Sequence, residues 1–99
     1  MRTETIPFDA AQYLREPEAQ AELLADALES GDATYIATAL GTIARARGIT
    51  DVARGTGVTR AALYKALGPT GDPRLTTFLG VLNSLGFKLT LKAEDAEAA

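Results

Sequence analysis

Residues 49–68 read ITDVARGTGVTRAALYKALG, and this stretch is more informative about the fold than the rest of the chain. The pattern predicts two short helices joined by a tight turn. Thr50 is placed to cap the first helix, Gly57 lies at the turn, and Thr59 is placed to cap the second helix. A helix pair of this kind projects the start of its second helix outward, in the shape that enters a DNA major groove. The stretch therefore predicts a DNA-binding helix-turn-helix over residues 50–67.

The spacing of residues separates inward-facing from outward-facing side chains. Leu63 and Leu67 lie four residues apart and are expected to anchor the second helix to the core. Val52, Ala53 and Thr56 are expected to face inward from the first helix, and Val58 is expected to fill the turn. The outer side of the second helix carries the candidate DNA-reading residues, which are Thr59, Arg60, Ala61, Tyr64 and Lys65.

Each outward side chain suits one part of DNA. Arg60 lies in the first turn of the second helix, and its planar guanidinium can bond guanine O6 and N7 together. Thr59 and Ala61 are small enough to permit close approach, and Ala61 can meet a thymine methyl group. Tyr64 and Lys65 suit phosphates, although a ring packed on the domain surface and a solvated charge are their ordinary alternatives.

Positions beyond the second helix extend this candidate surface. Thr50, at the start of the first helix, is predicted to lie near a phosphate, because the free N–H groups there favour an anion. Arg54 is a weaker phosphate candidate, as are Arg74 and Thr70 in the part of the chain that follows.

The charges divide along the chain, although the net charge is −3. Residues 1–44 carry two basic and eight acidic side chains, whereas residues 45–92 carry eight basic and two acidic ones. Exposed charges act over a Debye length of about 8–10 Å, so the local patch matters more than the total. Because the basic block coincides with the helix-turn-helix, we interpret it as the DNA-facing half rather than as random surface charge.

The composition limits the classes of function. The chain has 99 residues, 46% of them hydrophobic, which suits one domain with a real core. It contains no Cys and no His, so the commonest metal ligand and general base are missing and no catalytic motif is present. We therefore expect no enzyme activity, no catalytic or metal site and no cofactor. No apolar run approaches the ~20 residues of a membrane span, and no signal peptide opens the chain, so a cytoplasmic protein is expected.

The rest of the chain predicts a mainly α fold of five to six helices with one or two short terminal β-strands. We expect a single domain over residues 1–99, with an extended segment and short turn at 1–14 and a helical part at 17–86. Phe87, Leu89 and Leu91 alternate with polar residues, which predicts a strand over 87–92. Its expected partner is residues 3–8 or another subunit. Residues 93–99 are expected to be a frayed tail.

Capping residues mark the predicted helix boundaries. Pro17 is expected to open a helix that ends at Ser30-Gly31, and Asp32 to cap the next, which Gly48 closes. Asp72-Pro73 is expected to restart a helix that ends at Gly86. The residues expected to form inner stripes on these helices are Leu24, Ala27, Leu28, Ile36, Leu40, Ile43, Leu75, Phe78, Leu79, Leu82 and Leu85.

Four stretches, which together span about residues 4–92, resemble the addiction-module antidote family, the HigA-like antitoxins with a Cro/C1 (lambda repressor-like) helix-turn-helix. They are TIPFDAAQYL (5–14), PEAQAELLADALESGD (17–32), LGTIARARG (40–48) and residues 44–91. The most specific part is LYKAL (63–67), followed by a Gly/Pro loop and a Leu-rich helix. Gly55 departs from the pattern, since a larger helix-forming residue is common there, and we expect it to loosen the first short helix.

The resemblance implies a type II antitoxin that neutralises a RelE/ParE-like (HigB-type) toxin and represses its own operon as a homodimer. It also implies that Thr59, Arg60, Ala61, Tyr64 and Lys65 read operator DNA. Dimerisation is expected to use the last helix and the 87–92 strand, and the acidic half to bind a basic toxin. Two alternatives stay open, namely a stand-alone Cro/C1-type repressor without a toxin, and an interaction module that no longer binds DNA.

Overall fold

The computed structural model of this chain describes residues 16–94. Within them the fold is helical, and the five helices in chain order are α1 (Pro17–Ser30), α2 (Ala33–Arg47), α3 (Ile49–Thr56), α4 (Arg60–Ala66) and α5 (Leu75–Ser84). The predicted segment 1–14, including the possible strand at 3–8, lies outside the described residues.

Local capping explains most helix boundaries. Pro17 occupies the first turn of α1, and Gly31 ends it with a φ of 68°. The Asp32 carboxylate accepts hydrogen bonds from the backbone N–H groups of Thr34 (2.9 Å) and Tyr35 (3.3 Å), so it caps α2 as predicted. Gly48 ends α2 and also precedes the first residue of α3, with a φ of 114° that favours glycine.

Two predicted caps were wrong. Thr50 does not cap α3, because Gly48 takes the cap position and its carbonyl accepts the Val52 N–H at 3.1 Å, which places Thr50 inside the helix. Asp72-Pro73 does not open α5 either. The first helical bond of α5 joins the Phe78 N–H to the Arg74 carbonyl at 2.9 Å, so the helix begins after Arg74.

The core gathers side chains from every helix. The largest fully buried apolar residues are Leu40, Ile43, Leu63, Leu67 and Val81. Helix α1 packs against α2, and α3 packs against both α2 and α5. The contact between α3 and α5 is close because Gly55 faces Ser84 and Gly80 faces Thr56. Gly55 therefore permits α3 and α5 to pack closely. The sequence-based prediction for Gly55 concerned only the stability of α3 and did not foresee this contact.

Polar contacts tie α1 to α2. The Arg47 guanidinium donates a hydrogen bond of 2.9 Å to Oε1 of Gln20, which is fully buried. The Tyr35 hydroxyl donates a hydrogen bond of 2.5 Å to the Asp26 carboxylate, and this bond raises the pKa of Tyr35. The two bonds link α1 to opposite ends of α2.

The predicted inner stripes were correct for Leu24, Ala27, Leu40, Ile43, Leu82 and Leu85, which are buried. Ile36 and Phe78 are partly buried. On α5, however, Leu75 is 70% exposed and Leu79 is 45% exposed, while Val81 is fully buried in their place. Helix α5 is therefore rotated relative to the predicted stripe. Leu28, with 36% of its surface exposed, also lies at the edge of the core.

The predicted strand at 87–92 is not formed within residues 16–94, where residues 87–94 have no regular secondary structure. The Phe87 N–H bonds to the Leu82 carbonyl at 2.9 Å, and the Phe87 ring packs against the core. Beyond it, Leu89 is 43% exposed and Leu91 is 99% exposed. A strand requires a backbone partner, and none of the described residues supplies one.

Candidate DNA-binding surface

The turn between α3 and α4 forms as the sequence predicts. Gly57 ends α3 with a φ of 80°, and its N–H bonds to the Ala53 carbonyl at 2.9 Å. The Thr59 hydroxyl then accepts the Ala62 N–H at 3.0 Å, so Thr59 caps α4. Residues 57–59 alone separate the two helices, which fixes where α4 begins.

Buried side chains hold this helix pair in place. Leu63 and Leu67 are 0% and 1% exposed, and Val52 and Ala53 are also buried. Val58 is partly buried and packs against the same core. The inward-facing half of the predicted motif is therefore confirmed, and α4 has little freedom to rotate about its own axis.

All seven predicted site residues are exposed, namely Thr50, Arg54, Thr59, Arg60, Ala61, Tyr64 and Lys65. A helix turns by about 100° per residue. With Leu63 facing the core, Ala61 and Lys65 lie at the centre of the outward face of α4. Arg60 and Tyr64 lie along one edge of that face. The structure thus brings the predicted α4 positions together on one open surface, which we call the α4 face.

Ala62 is also exposed, on the other edge of the α4 face, although it was not among the predicted site residues. The rotation of about 100° per residue, which places Ala62 roughly a quarter turn from the buried Leu63, would have identified it. Its small side chain leaves room for a second molecule to approach this edge.

Helix α3 presents Thr50, Asp51 and Arg54 on its outward side. The Arg54 guanidinium donates to the Asp51 carboxylate at 3.0 Å, and both side chains are about three-quarters exposed. An exposed pair of this kind contributes only about 0–1 kcal/mol. Arg54 can therefore exchange Asp51 for an external anion at little cost.

The α4 face is positively charged. Within residues 16–94, the side chains of Arg60 and Lys65 make no hydrogen bond or ion pair with the protein. Arg74 and Thr70 are exposed in and beside the loop that follows α4. The arrangement supplies donors for an anionic, polar surface such as nucleic acid.

Residues 16–94 contain no group of three or more acidic, His or Cys side chains that would hold a metal ion. Among them, no helix has the length and apolar character needed to cross a membrane.

Comparison with known proteins identifies the family. Residues 4–93 match the family described as "Probable addiction module antidote protein". An uncharacterized protein of Haemophilus influenzae is 36% identical over 85 residues, which cover 86% of this chain and 88% of that relative. No solved structure matches the chain. Because the family match extends over nearly the whole sequence, this chain belongs to the addiction-module antidote family.

Proposed function

We propose that this protein is a DNA-binding antitoxin with a Cro/C1-type core. It neutralises a RelE/ParE-like (HigB-type) toxin and represses its own operon as a homodimer. The observation that carries the proposal is the α4 face, an exposed basic surface locked to the core by Leu63 and Leu67 in a chain of the antidote family. A mainly helical fold with a rigid outward helix suits insertion into a major groove.

In the proposed complex, the start of α4 enters the major groove of the operator. Arg60 reads a guanine with two parallel hydrogen bonds, and Thr59 and Ala61 allow the helix to come close to the base edges. Tyr64 and Lys65 bind phosphates, as do Arg54 and the N-terminus of α3 near Thr50. Base contacts then set the sequence preference, and phosphate contacts set the register.

The proposed homodimer uses the exposed end of α5. Leu75 and Leu79 lie uncovered beside a groove of about 230 Å³ that Ile36, Pro73 and Phe78 help to line. Asp72 and Arg74, which have opposite charges, precede Leu75 in the chain and are also exposed. In a two-fold symmetric dimer, any contact between two different residues of the two copies occurs twice. Asp72 of each copy can therefore pair with Arg74 of the other copy while the leucines are buried.

Leu75→Glu should convert the dimer into a monomer without unfolding the chain, because Leu75 is 70% exposed in the protomer. Sedimentation equilibrium would measure the mass. Leu91→Glu, at a residue that is 99% exposed, is the matched control and should leave the mass unchanged. If Leu91→Glu dissociates the dimer and Leu75→Glu does not, the 87–92 segment forms the interface and the α5 proposal is wrong.

A salt titration tests the DNA function. Binding of the full-length protein to its own promoter should weaken steeply as salt rises, because phosphate contacts release counterions. A complete absence of binding at low salt would favour the interaction module. Co-expression with the neighbouring gene tests the toxin: without a complex and without rescue of growth, a stand-alone repressor is the better description.

Asp51→Asn should tighten binding to any DNA sequence by about two- to fivefold at low salt, since it removes a negative charge from the outward side of α3 and frees Arg54. Fluorescence anisotropy with operator and random duplexes would measure the change. Glu94→Gln removes one exposed negative charge elsewhere and serves as the control. Equal gains from both variants would mean that net charge, rather than Arg54, accounts for the effect.

A further inference from the structure

Helix α1 carries an exposed apolar strip next to an acidic one. Ala21, Ala25 and Leu28 follow one another at helical spacing and line a groove with Leu82, Phe87 and Leu89. The groove has a volume of about 200 Å³, less than the ~300–1,000 Å³ of most small-molecule sites. Its size suits one or two side chains of another protein. Lys88 and Thr90 form part of the far wall.

The acidic strip runs beside this groove. Glu18, Glu22 and Glu29 recur at spacings of four and seven residues, so they share one exposed side of α1. Asp26 adds a fourth negative charge, held by its bond from Tyr35, and α1 contains no basic residue. We call the groove and this strip together the α1 face.

The charges of the α1 face select among its possible occupants. A second copy seated there would bring two rows of carboxylates together, and like charges at an interface repel. The segment at 1–15 has two basic and two acidic residues, so it carries no excess of positive charge. A basic protein satisfies both features, because its cations meet the glutamates while an apolar side chain fills the groove.

We propose that the α1 face binds the toxin, through a positively charged segment of the toxin that inserts a large apolar side chain between Ala25 and Leu89. This inference rests on the antitoxin function proposed above and specifies where the partner binds. It places the toxin on α1 and DNA on α4. The two surfaces belong to different helices, so one protomer is expected to hold both partners at once.

The test compares full-length variants for binding to the product of the neighbouring gene. That protein is recovered from the co-expressed complex by unfolding and refolding. Glu29→Lys should weaken binding about tenfold at low salt, and the difference should shrink at high salt. Glu29 lies in the last turn of α1, where a cation suits the helix dipole, so the fold is retained. Glu94→Lys makes the same charge change outside α1 and should leave the affinity unchanged.

A second variant tests the groove itself. Ala25→Arg fills it with a long, charged side chain at an exposed helical position and should weaken binding at least tenfold at any salt concentration. Thr34→Arg, at an exposed site on α2, is its control. Circular dichroism checks that all four variants remain helical.

Three results would overturn the inference. If the toxin binds the wild type and every variant equally, it docks elsewhere, and the antitoxin function stands without this site. If the neighbouring product does not bind the wild type at all, the antitoxin function and this inference fail together. If Ala25→Arg changes the mass of the chain in the absence of toxin, the α1 face is an interface between copies.

Discussion

Arg60→Ala should lower the affinity for the operator by about 1–3 kcal/mol, and the loss should disappear when one particular guanine is replaced. The reason is geometric. Arg60 is exposed in the first turn of α4, and Thr59 and Leu63 fix the direction of that turn. A guanidinium held there can make two bonds to one guanine, which no other side chain in the α4 face can do. Anisotropy titrations with single-base variants of the operator would locate the position.

Lys65→Ala is the matched control on the same helix. An ammonium that binds a phosphate carries no sequence information, so this variant should weaken binding to every duplex about equally. The slope of log affinity against log salt should fall by about one. If both variants lose affinity equally and without sequence dependence, Arg60 binds the backbone, and base reading must come from elsewhere.

Gly41→Ala should destabilise the fold by about 2 kcal/mol, even though alanine is the better helix former. Gly41 is buried in α2 and lies next to Leu67, the C-cap residue of α4. An added Cβ would lie 2.6 Å from the Leu67 carbonyl oxygen and 3.1 Å from the Leu67 Cβ. Backbone atoms cannot rotate away from this contact, so α2 and α4 must separate. Thermal unfolding should show a melting temperature lower by about 10 °C.

Gly80→Ala is the contrasting substitution. Gly80 lies inside α5, and its added Cβ would meet Thr56 at 3.5 Å or more, an ordinary contact. The helix should therefore gain up to about 1 kcal/mol from the higher propensity of alanine. If the two variants shift the melting temperature by the same amount in the same direction, helix propensity rather than packing controls these positions.

Helix ends were the most predictable part of this fold. Asp32, Gly57 and Thr59 act as predicted because a cap depends on residues within about four positions along the chain. The predicted cap at Thr50 was wrong because Gly48, two residues earlier, adopts a φ of 114° and takes the cap position itself. No pattern within α3 signals that competition, since the conformation of Gly48 depends on how α2 and α3 pack.

The outward side of the helix-turn-helix was also predictable. Helical periodicity separates Leu63 and Leu67 from Tyr64 and Lys65, and the structure buries the two leucines and exposes Tyr64 and Lys65. Arg60, in the first turn of α4, is also exposed. The same periodicity misled on α5. Leu75 and Leu79 fit the apolar stripe but stay exposed, while Val81 is buried with Leu82 and Leu85. The side that α5 buries is the one that meets α3, and the sequence of α5 alone does not specify that partner.

Local sequence was sufficient to predict the helices, most of their caps and the candidate DNA-facing residues, since each depends on neighbours one helical turn away. The start of α5, the exposure of Leu75 and the packing role of Gly55 became evident only in the folded chain, where residues 87–94 are irregular within the described part. Those features depend on which elements meet across the core. Residues that are distant in sequence set those contacts, and no local pattern records them.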